Sequence, residues 1–254
     1  MIEIENVSKT FPGDGWRGTP VHALRGASLR AQDGQATGLV GANGAGKTTL
    51  FRMCAGLLRP EAGSVRVDGI DPFKDPEEAR RRVSLLPEKP GLFPEWRGED
   101  HLAAAGAVRG LTRAQTQRRS EEAIEIFGLE SFVKRDARGY SRGQAVRVAL
   151  AREHVSGAHC LILDEPTVGL DFESAGRVRR WVRQMVQEGH CLLIATHIIT
   201  EIEAMCDELV GLRDGVSHDE ATTRQWIETA REGIVDGVAS KSGAKNEKKE
   251  GKNG

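Results

Sequence analysis

The residues with the clearest capacity for chemistry lie in the segment Gly41-Ala-Asn-Gly-Ala-Gly46-Lys47-Thr48. This segment fits the pattern Gly-x-x-x-x-Gly-Lys-Ser/Thr at every fixed position, after an apolar run, Ala36–Val40, and before helix-forming residues. Glycines let consecutive backbone N–H groups turn toward an anion, and a helix N-terminus adds a favourable dipole. A glycine-rich turn without a ligand is the plainer interpretation. The flanking strand and helix favour a phosphate-binding loop, in which Lys47 reaches the β- and γ-phosphates and Thr48 ligates Mg²⁺.

A second group lies at the end of another apolar run, Cys160-Leu-Ile-Leu-Asp164-Glu165. Asp164 is placed to hold Mg²⁺ through water, and Glu165 is placed to polarise the water that attacks a γ-phosphate. Two acidic residues after a buried strand are common, so the pair is weak evidence by itself. In a chain that also has a phosphate loop, it predicts hydrolysis of ATP.

The elements that must position these groups follow an α/β pattern. The apolar runs 160–163 and 191–195 are predicted as buried parallel strands with a helix between them, and Ile2–Val7 alternates as a half-buried strand does. The irregular connector Pro87–Gly98 precedes helical sequence from Glu99 to Phe127. We predict a phosphate-loop NTPase core with a mostly parallel sheet, an antiparallel β N-terminal part and a small helical lobe at about 88–142.

Composition narrows the function classes. The 254 residues suit one α/β domain, and the net charge of -1 argues against a broad nucleic-acid-binding face. Four cysteines without a CxxC pair are typical of reduced thiols in a cytosolic protein. We see no signal peptide, and no apolar run approaches the ~18 residues of a spanning helix. Residues 1–240 are predicted as the ATPase domain, and the Lys-rich stretch 241–254 as disordered.

The segment Tyr140-Ser141-Arg142-Gly143-Gln144 resembles the LSGGQ signature of ABC ATPases, and Ser141 precedes Glu165 by 24 residues, as is usual in that family. The same residues form a capping box that opens a helix. The two interpretations are compatible, because a capped N-terminus with an exposed Ser141 and Gly143 N–H is an anion site. In ABC proteins the γ-phosphate belongs to the partner subunit. The resemblance therefore implies a head-to-tail dimer, with itself or with a related ATPase subunit.

Other positions extend the resemblance over roughly residues 2–216. Asp171 resembles the D-loop aspartate at the dimer seam, His197 resembles the switch histidine that contacts the γ-phosphate, and Phe11 stands where an aromatic residue stacks on adenine. Glu88 replaces the usual Q-loop glutamine and can also offer oxygen to Mg²⁺. The catalytic residues implied are Lys47, Glu165 and His197, and the metal ligands are Thr48, Glu88 and Asp164. The nucleotide contacts implied are Phe11, Gly41, Asn43, Gly44, Ala45, Gly46, Lys47, Thr48, Thr49, Glu88, Ser141, Gly143, Gln144 and Asp171.

The resemblance implies the ATP-binding subunit of a transporter, peripheral on the cytoplasmic face of the membrane, which drives a separate permease. With Glu88 in the Q-loop and Arg142 in place of a signature glycine, the chain most resembles the bacterial export-type ATPases of sodium, drug, haem or polysaccharide systems. One alternative is a soluble ABC ATPase that acts on ribosomes or DNA, although such members usually carry two nucleotide domains or long insertions. Another is a phosphate-loop module without catalysis. We also hypothesise that Leu92, Phe93 and Trp96 line the groove that receives a permease helix.

Overall fold

The computed structural model describes residues 1–13 and 19–243, with the backbone alone for 232–243. The strands are β1 (Ile2–Phe11), β2 (Val21–Ala31), β3 (Gln35–Val40), β4 (Ala62–Val67), β5 (Val83–Leu86), β6 (Cys160–Asp164), β7 (Cys191–Ala195), β8 (Glu208–Arg213) and β9 (Val216–His218). The helices are α1 (Lys47–Cys54), α2 (Pro76–Arg82), α3 (Gly98–Val108), α4 (Arg113–Phe127), α5 (Arg142–Ser156), α6 (Phe172–Gln187), α7 (Ile199–Met205) and α8 (Glu220–Gly243).

The strands form two sheets, as the sequence predicts. β2, β1 and β4 make an antiparallel sheet in that order. The second sheet has the order β5-β6-β7-β3-β8-β9 and is parallel except for the pair β8–β9. Because consecutive parallel strands need crossover connections, helices cover this sheet and bury its strands. The predicted fold class, including the phosphate-loop NTPase core, is confirmed.

Alternation along β6 divides the interior into two apolar layers. Leu161 and Leu163 face the layer formed with α5 and α6, in which Trp181 packs edge-on against Phe127 with ring centroids 5.3 Å apart. Ile162 faces the second layer, between the two sheets. All five residues of β6 are buried, which explains why the four residues before Asp164 are all apolar.

The helical sequence from Glu99 to Phe127 forms two helices, α3 and α4. α3 ends at Val108, and α4 begins after Thr112, whose hydroxyl accepts a hydrogen bond from the backbone N–H of Gln115. The Gln115 side chain in turn accepts one from the Thr112 N–H, so the pair is a capping box. Both helices pack against α5, the helix that begins in the signature-like segment.

Tyr140 fixes the start of that segment to the preceding helices. Its hydroxyl accepts a hydrogen bond from the Gly98 N–H (3.0 Å) and lies 2.9 Å from the carbonyl oxygen of Arg135. Its ring meets Phe132 edge-on, with centroids 5.3 Å apart. The first residue of the segment is therefore a packing anchor, and Ser141 follows it at the surface.

The C-terminal helix α8 packs against β8 and extends to Gly243. The tail that we predict to be disordered, 241–254, thus begins within this helix, and its residues 244–254 lie outside the described part of the chain. Among the described residues, no helix combines the length and the apolar character needed to cross a bilayer.

Candidate active site

The predicted functional groups gather where parallel strands end. The phosphate loop follows β3, Asp164 ends β6 and Glu165 comes next, and His197 comes two residues after β7. Glu88 comes two residues after β5. These four strands are parallel and adjacent in the sheet, so their carboxyl ends meet at one edge.

The phosphate loop is held close to neighbouring backbone. Gly46 has a φ of 110°, and a Cβ atom there would lie 2.5 Å from the carbonyl oxygen of Ala23. Only glycine satisfies both the left-handed conformation and this close approach. The loop then continues directly into α1 at Lys47, so the N-terminus of that helix faces the same space as the loop.

Lys47 and Thr48 are both positioned by hydrogen bonds. The Lys47 ammonium donates to the carbonyl oxygens of Gly41 (2.6 Å) and Ala42 (3.1 Å), which holds the side chain over the loop. The Thr48 hydroxyl donates to Asp164 Oδ2 at 3.1 Å, across 116 residues of sequence. A hydroxyl and a carboxylate at this separation can share a hard cation such as Mg²⁺.

Glu165 and His197 form a pair that sequence reasoning did not predict. Glu165 Oε1 accepts a hydrogen bond from the backbone N–H of His197 (3.1 Å) and lies 2.9 Å from the ring nitrogen Nδ1 of the same residue. The other carboxylate oxygen, Oε2, is buried and has no hydrogen-bond partner among the described residues. A buried oxygen in this condition is costly unless a bound water or substrate satisfies it.

The backbone of Glu165 is also strained. Its φ of 55° is left-handed, and the other described non-glycine residues with positive φ are Asn or Asp, which tolerate that region better. The Glu165 N–H donates to the carbonyl oxygen of Ala195 at 2.8 Å, which ties the strained residue to β7. Strain of this kind is typical of functional sites and costs about 1–3 kcal/mol.

The electrostatics of the cleft suit a divalent cation. Burial raises the pKa of the Asp164 carboxyl, although the Thr48 hydrogen bond opposes this; Glu165 and Glu88 raise it further, because their charges repel an ionised neighbour. Burial disfavours the charged form of Lys47 in the same way, and this lowers the pKa of its ammonium group. A cation among these carboxylates would offset their repulsion, and every donor of the predicted metal set is an oxygen, as Mg²⁺ requires.

Most of the predicted site residues line one cleft of about 570 Å³. Those in its wall are Asn43, Gly44, Ala45, Gly46, Lys47, Thr48, Thr49, Glu88, Asp164, Glu165 and His197. Gly41 is not in the wall, but its carbonyl holds Lys47. Phe11 lies beside the cleft: it pairs across the strands with Val21, which does line it.

Four further predicted residues lie outside this cleft. Ser141 and Gln144 complete the predicted capping box, in which the Gln144 N–H donates to Ser141 Oγ at 3.2 Å and the Ser141 N–H donates to Gln144 Oε1 at 3.0 Å. Gly143 lies close to the backbone just before Asp171, since a Cβ on Gly143 would lie 2.9 Å from the carbonyl oxygen of Gly169. Asp171 caps α6 by accepting from the Ser174 N–H at 2.8 Å, which lowers the pKa of its carboxyl.

Sequence reasoning missed other residues in the wall, namely Val21, Ala23, Arg142 and Val168. Arg142 was noted only as a departure from the signature, yet it lines the cleft. Its side chain also packs against Gly169: a Cβ atom added to that glycine would lie 3.0 Å from Arg142 Cδ. The only signal for this was the arginine itself, in a place where the resemblance expects glycine.

Comparison with known proteins decides the family. The profile of the family described as ABC transporter matches residues 24–168. The ABC transporter ATP-binding protein NatA of Bacillus subtilis (strain 168) is 34% identical over 216 residues, which cover 85% of this chain and 87% of that protein. The chain belongs to the ABC transporter family.

Other likenesses of this ABC ATPase agree. The Nod factor export ATP-binding protein I of Ralstonia nicotianae is 31% identical over 217 residues, covering 80% of this chain and 68% of that protein. A solved structure described as the ATP-binding subunit of an ABC transporter is 26% identical, has a TM-score of 0.78 and covers 90% of this chain and 93% of its own. The chain is therefore an ATP-binding subunit of an ABC transporter, and its activity is ATP hydrolysis.

Proposed function

We propose that two copies of this subunit, or one copy and a related subunit, close head to tail on ATP and thereby drive a separate membrane permease. Within each copy, Lys47 and the loop N–H groups hold the phosphates. Glu165 accepts the proton of the attacking water, while His197 holds that carboxylate in place. Mg²⁺ would be held by Thr48, Asp164 and Glu88 and would neutralise phosphate charge.

The observation that supports the head-to-tail arrangement is the position of Ser141. It caps the N-terminus of α5, a 15-residue helix whose dipole favours an anion, and it is exposed outside the cleft of its own chain. A second copy turned head to tail would place this helix end against the phosphates in the first. The cleft of one chain then supplies only part of the nucleotide site, and the α5 N-terminus of the second copy completes it.

This arrangement makes turnover depend on dimer formation. Below the dimer dissociation constant, the ATPase rate per chain should rise in proportion to protein concentration, about tenfold for a tenfold increase, because mass action sets the fraction of complete sites. A malachite-green phosphate assay over a dilution series measures this. A rate per chain that stays constant while a sizing column shows monomers would contradict the proposal.

A groove next to the catalytic cleft supports docking of a permease segment. It measures about 580 Å³, and three of its lining residues, Thr48, Glu88 and Asp164, also line the nucleotide cleft. Its outer wall includes Leu57, which is 68% exposed. A segment seated in this groove would thus respond to changes at the γ-phosphate. We propose that α3 and α4 act as the helical lobe that forms the far side of the docking surface.

Two exposed aromatic residues continue this surface. Phe93 is 58% exposed and Trp96 is 40% exposed; their ring centroids lie 4.8 Å apart, and both pack against His101. They follow the groove residues Pro90 and Gly91 along the chain. Leu92, by contrast, packs against the apolar core, so the docking hypothesis is kept for the two aromatic residues only.

Replacing Phe93 and Trp96 together by serine is expected to lower co-purification with the permease by at least tenfold, since burying one such side chain is worth about 1.5–3 kcal/mol. The thermal midpoint and the basal ATPase rate of the isolated subunit should stay near wild type. Val216→Ser, a change at an exposed apolar residue of β9, is the matched control. A large fall in the thermal midpoint, or unchanged co-purification, would contradict the docking assignment.

The direction of transport is inferred from the relatives. The Ralstonia nicotianae relative is named for Nod factor export. We infer that this subunit also powers export, and that it works at the cytoplasmic face of the membrane through its permease.

A further inference from the structure

A cluster of side chains of the types that ligate metals lies at the edge of the sheet opposite the nucleotide cleft. It consists of Asp68, which follows β4, and His159 with Cys160 at the start of β6. One donor atom from each of the three lies within 4.8 Å of the others. Asp33, in the turn between β2 and β3, joins them through His159. None of these residues takes part in the hydrolysis described above.

The distances fit a tetrahedral zinc site. With Zn–S near 2.3 Å and Zn–N or Zn–O near 2.0 Å, tetrahedral donors lie about 3.5 Å apart for S and O and about 3.3 Å apart for N and O. Cys160 Sγ lies 3.4 Å from Asp68 Oδ1. His159 Nε2 lies 2.9 Å from Asp33 Oδ1 and 4.0 Å from Asp68 Oδ1. These values come within about 0.7 Å of the zinc geometry. The donors of Asp68, His159 and Cys160 all lie within 4.8 Å of one another, whereas Asp33 lies outside that group and is hydrogen-bonded to His159.

A positive group already lies among these donors. The Met1 amino nitrogen lies 2.6 Å from Asp68 Oδ1 and 3.6 Å from Cys160 Sγ, and it also contacts Asp33 Oδ1. Asp33, Asp68 and Cys160 therefore already contact one cationic group, and His159 lies beside them. A single ammonium charge faces two carboxylates there, whereas a divalent ion would balance both and would add bonds to nitrogen and sulfur.

The surroundings favour a defined site with access from solvent. Cys160 is buried, while the side chains of His159 and Asp33 are 40% and 53% exposed, which leaves an entry path. The His159 ring stacks on His190, with centroids 5.9 Å apart and planes 26° apart, so its orientation is held. Ligand orientation by outer contacts is typical of metal sites.

We propose that Asp68, His159 and Cys160 bind Zn²⁺, which takes the place of the Met1 ammonium and receives the Cys160 thiol as thiolate with release of its proton, and that the neighbouring Asp33 carboxylate turns to the ion as a fourth ligand once the ammonium has left. The mixture of oxygen, nitrogen and sulfur donors is one that Zn²⁺ accepts and Mg²⁺ does not. The ion would join β4 of the antiparallel sheet to β6 of the parallel sheet. Its role would be to fasten together the two sheets that flank the inner apolar layer.

Cobalt titration of the full chain, after removal of metals by a chelator and without nucleotide, tests this site. We expect one Co²⁺ per chain with a thiolate charge-transfer band and the intense ligand-field bands of tetrahedral coordination, and we expect Zn²⁺ to bleach them. Co²⁺ at the Thr48 and Asp164 oxygens gives no thiolate band, so the two sites are distinguished. Zinc loading should also raise the thermal midpoint of unfolding.

Variants assign the ligands. Cys160→Ser should abolish the charge-transfer band, and His159→Ala should weaken binding by at least about 10- to 100-fold, the loss typical of even an outer contact to a metal. Cys206→Ser, at a thiol outside the cluster, should retain the full spectrum. Because the half-exposed His159 can be changed without disturbing the core, it decides the matter if Cys160→Ser does not fold. Absence of the band in wild type, its survival in Cys160→Ser, or unchanged affinity in His159→Ala would overturn the proposal.

Discussion

Replacement of Glu165 by glutamine is expected to lower the rate of ATP turnover by ~10²–10⁴-fold, the usual contribution of a general base. Glutamine keeps an oxygen that can accept the His197 N–H, which the Glu165 carboxylate accepts at 3.1 Å. It loses the ability to take a proton from the attacking water. ATP binding should persist, because the phosphate loop and Lys47 are unchanged, and the uncleaved nucleotide should hold two copies together.

The measurement combines phosphate release with a sizing column run in Mg-ATP. The matched control is Glu88→Gln, which removes one negative charge from the same cleft and restores the residue that the family usually carries. We expect the control to keep turnover within about tenfold of wild type, since Glu88 is assigned to binding and not to proton transfer. Turnover near wild type in Glu165→Gln, or equal losses in both variants, would remove Glu165 from the role of base.

Changing Ser141 to aspartate is expected to abolish ATP-driven dimerisation and turnover while leaving nucleotide binding by the monomer intact. Aspartate is as good a helix cap as serine, so α5 should keep its N-terminal hydrogen bond. Its charge would repel the γ-phosphate of the partner's ATP. Lys47→Ala should instead weaken nucleotide binding itself, by about 10- to 100-fold, because a hydrogen bond to a charged group contributes ~1.5–3 kcal/mol.

Fluorescent-nucleotide titration and light scattering separate these two outcomes. A mixture of the two variants should recover at most one complete site per mixed dimer, and so part of the wild-type rate. Thr112→Ala is the control for cap loss, because Thr112 forms the same capping box at α4 without facing any nucleotide. Equal loss of monomer binding in Ser141→Asp and Lys47→Ala would show that Ser141 serves its own chain, against the shared site.

The local parts of the site were predictable from the sequence. The phosphate loop and the capping box at Ser141 each lie within about eight consecutive residues, and their function follows from backbone conformation over that length. The carboxylates at Asp164 and Glu165 were predictable because an apolar run marks a buried strand. The common location of these groups was shown by the structure, in which neighbouring parallel strands bring their carboxyl ends to one edge.

Contacts between distant segments were decided only by the tertiary structure. The hydrogen bond from His197 to Glu165 depends on β6 and β7 being neighbours, and strand order is not encoded in periodicity. The same holds for Arg142, whose place in the cleft depends on how the signature segment packs on Gly169. Leu92 turned to the core while Phe93 remained exposed, although both are apolar residues of one loop.

The proposed zinc site shows most clearly the difference between what the sequence predicts and what the tertiary structure decides. Asp68 and Cys160 are separated by 92 residues, and no local sequence pattern contains both of them. They meet because the end of β4 in one sheet lies over the start of β6 in the other. Sequence determined which groups could do chemistry within a turn or a strand end. The packing of the two sheets determined which of the remaining polar groups became neighbours, because side chains far apart in the chain interact only after the apolar layers between them have closed.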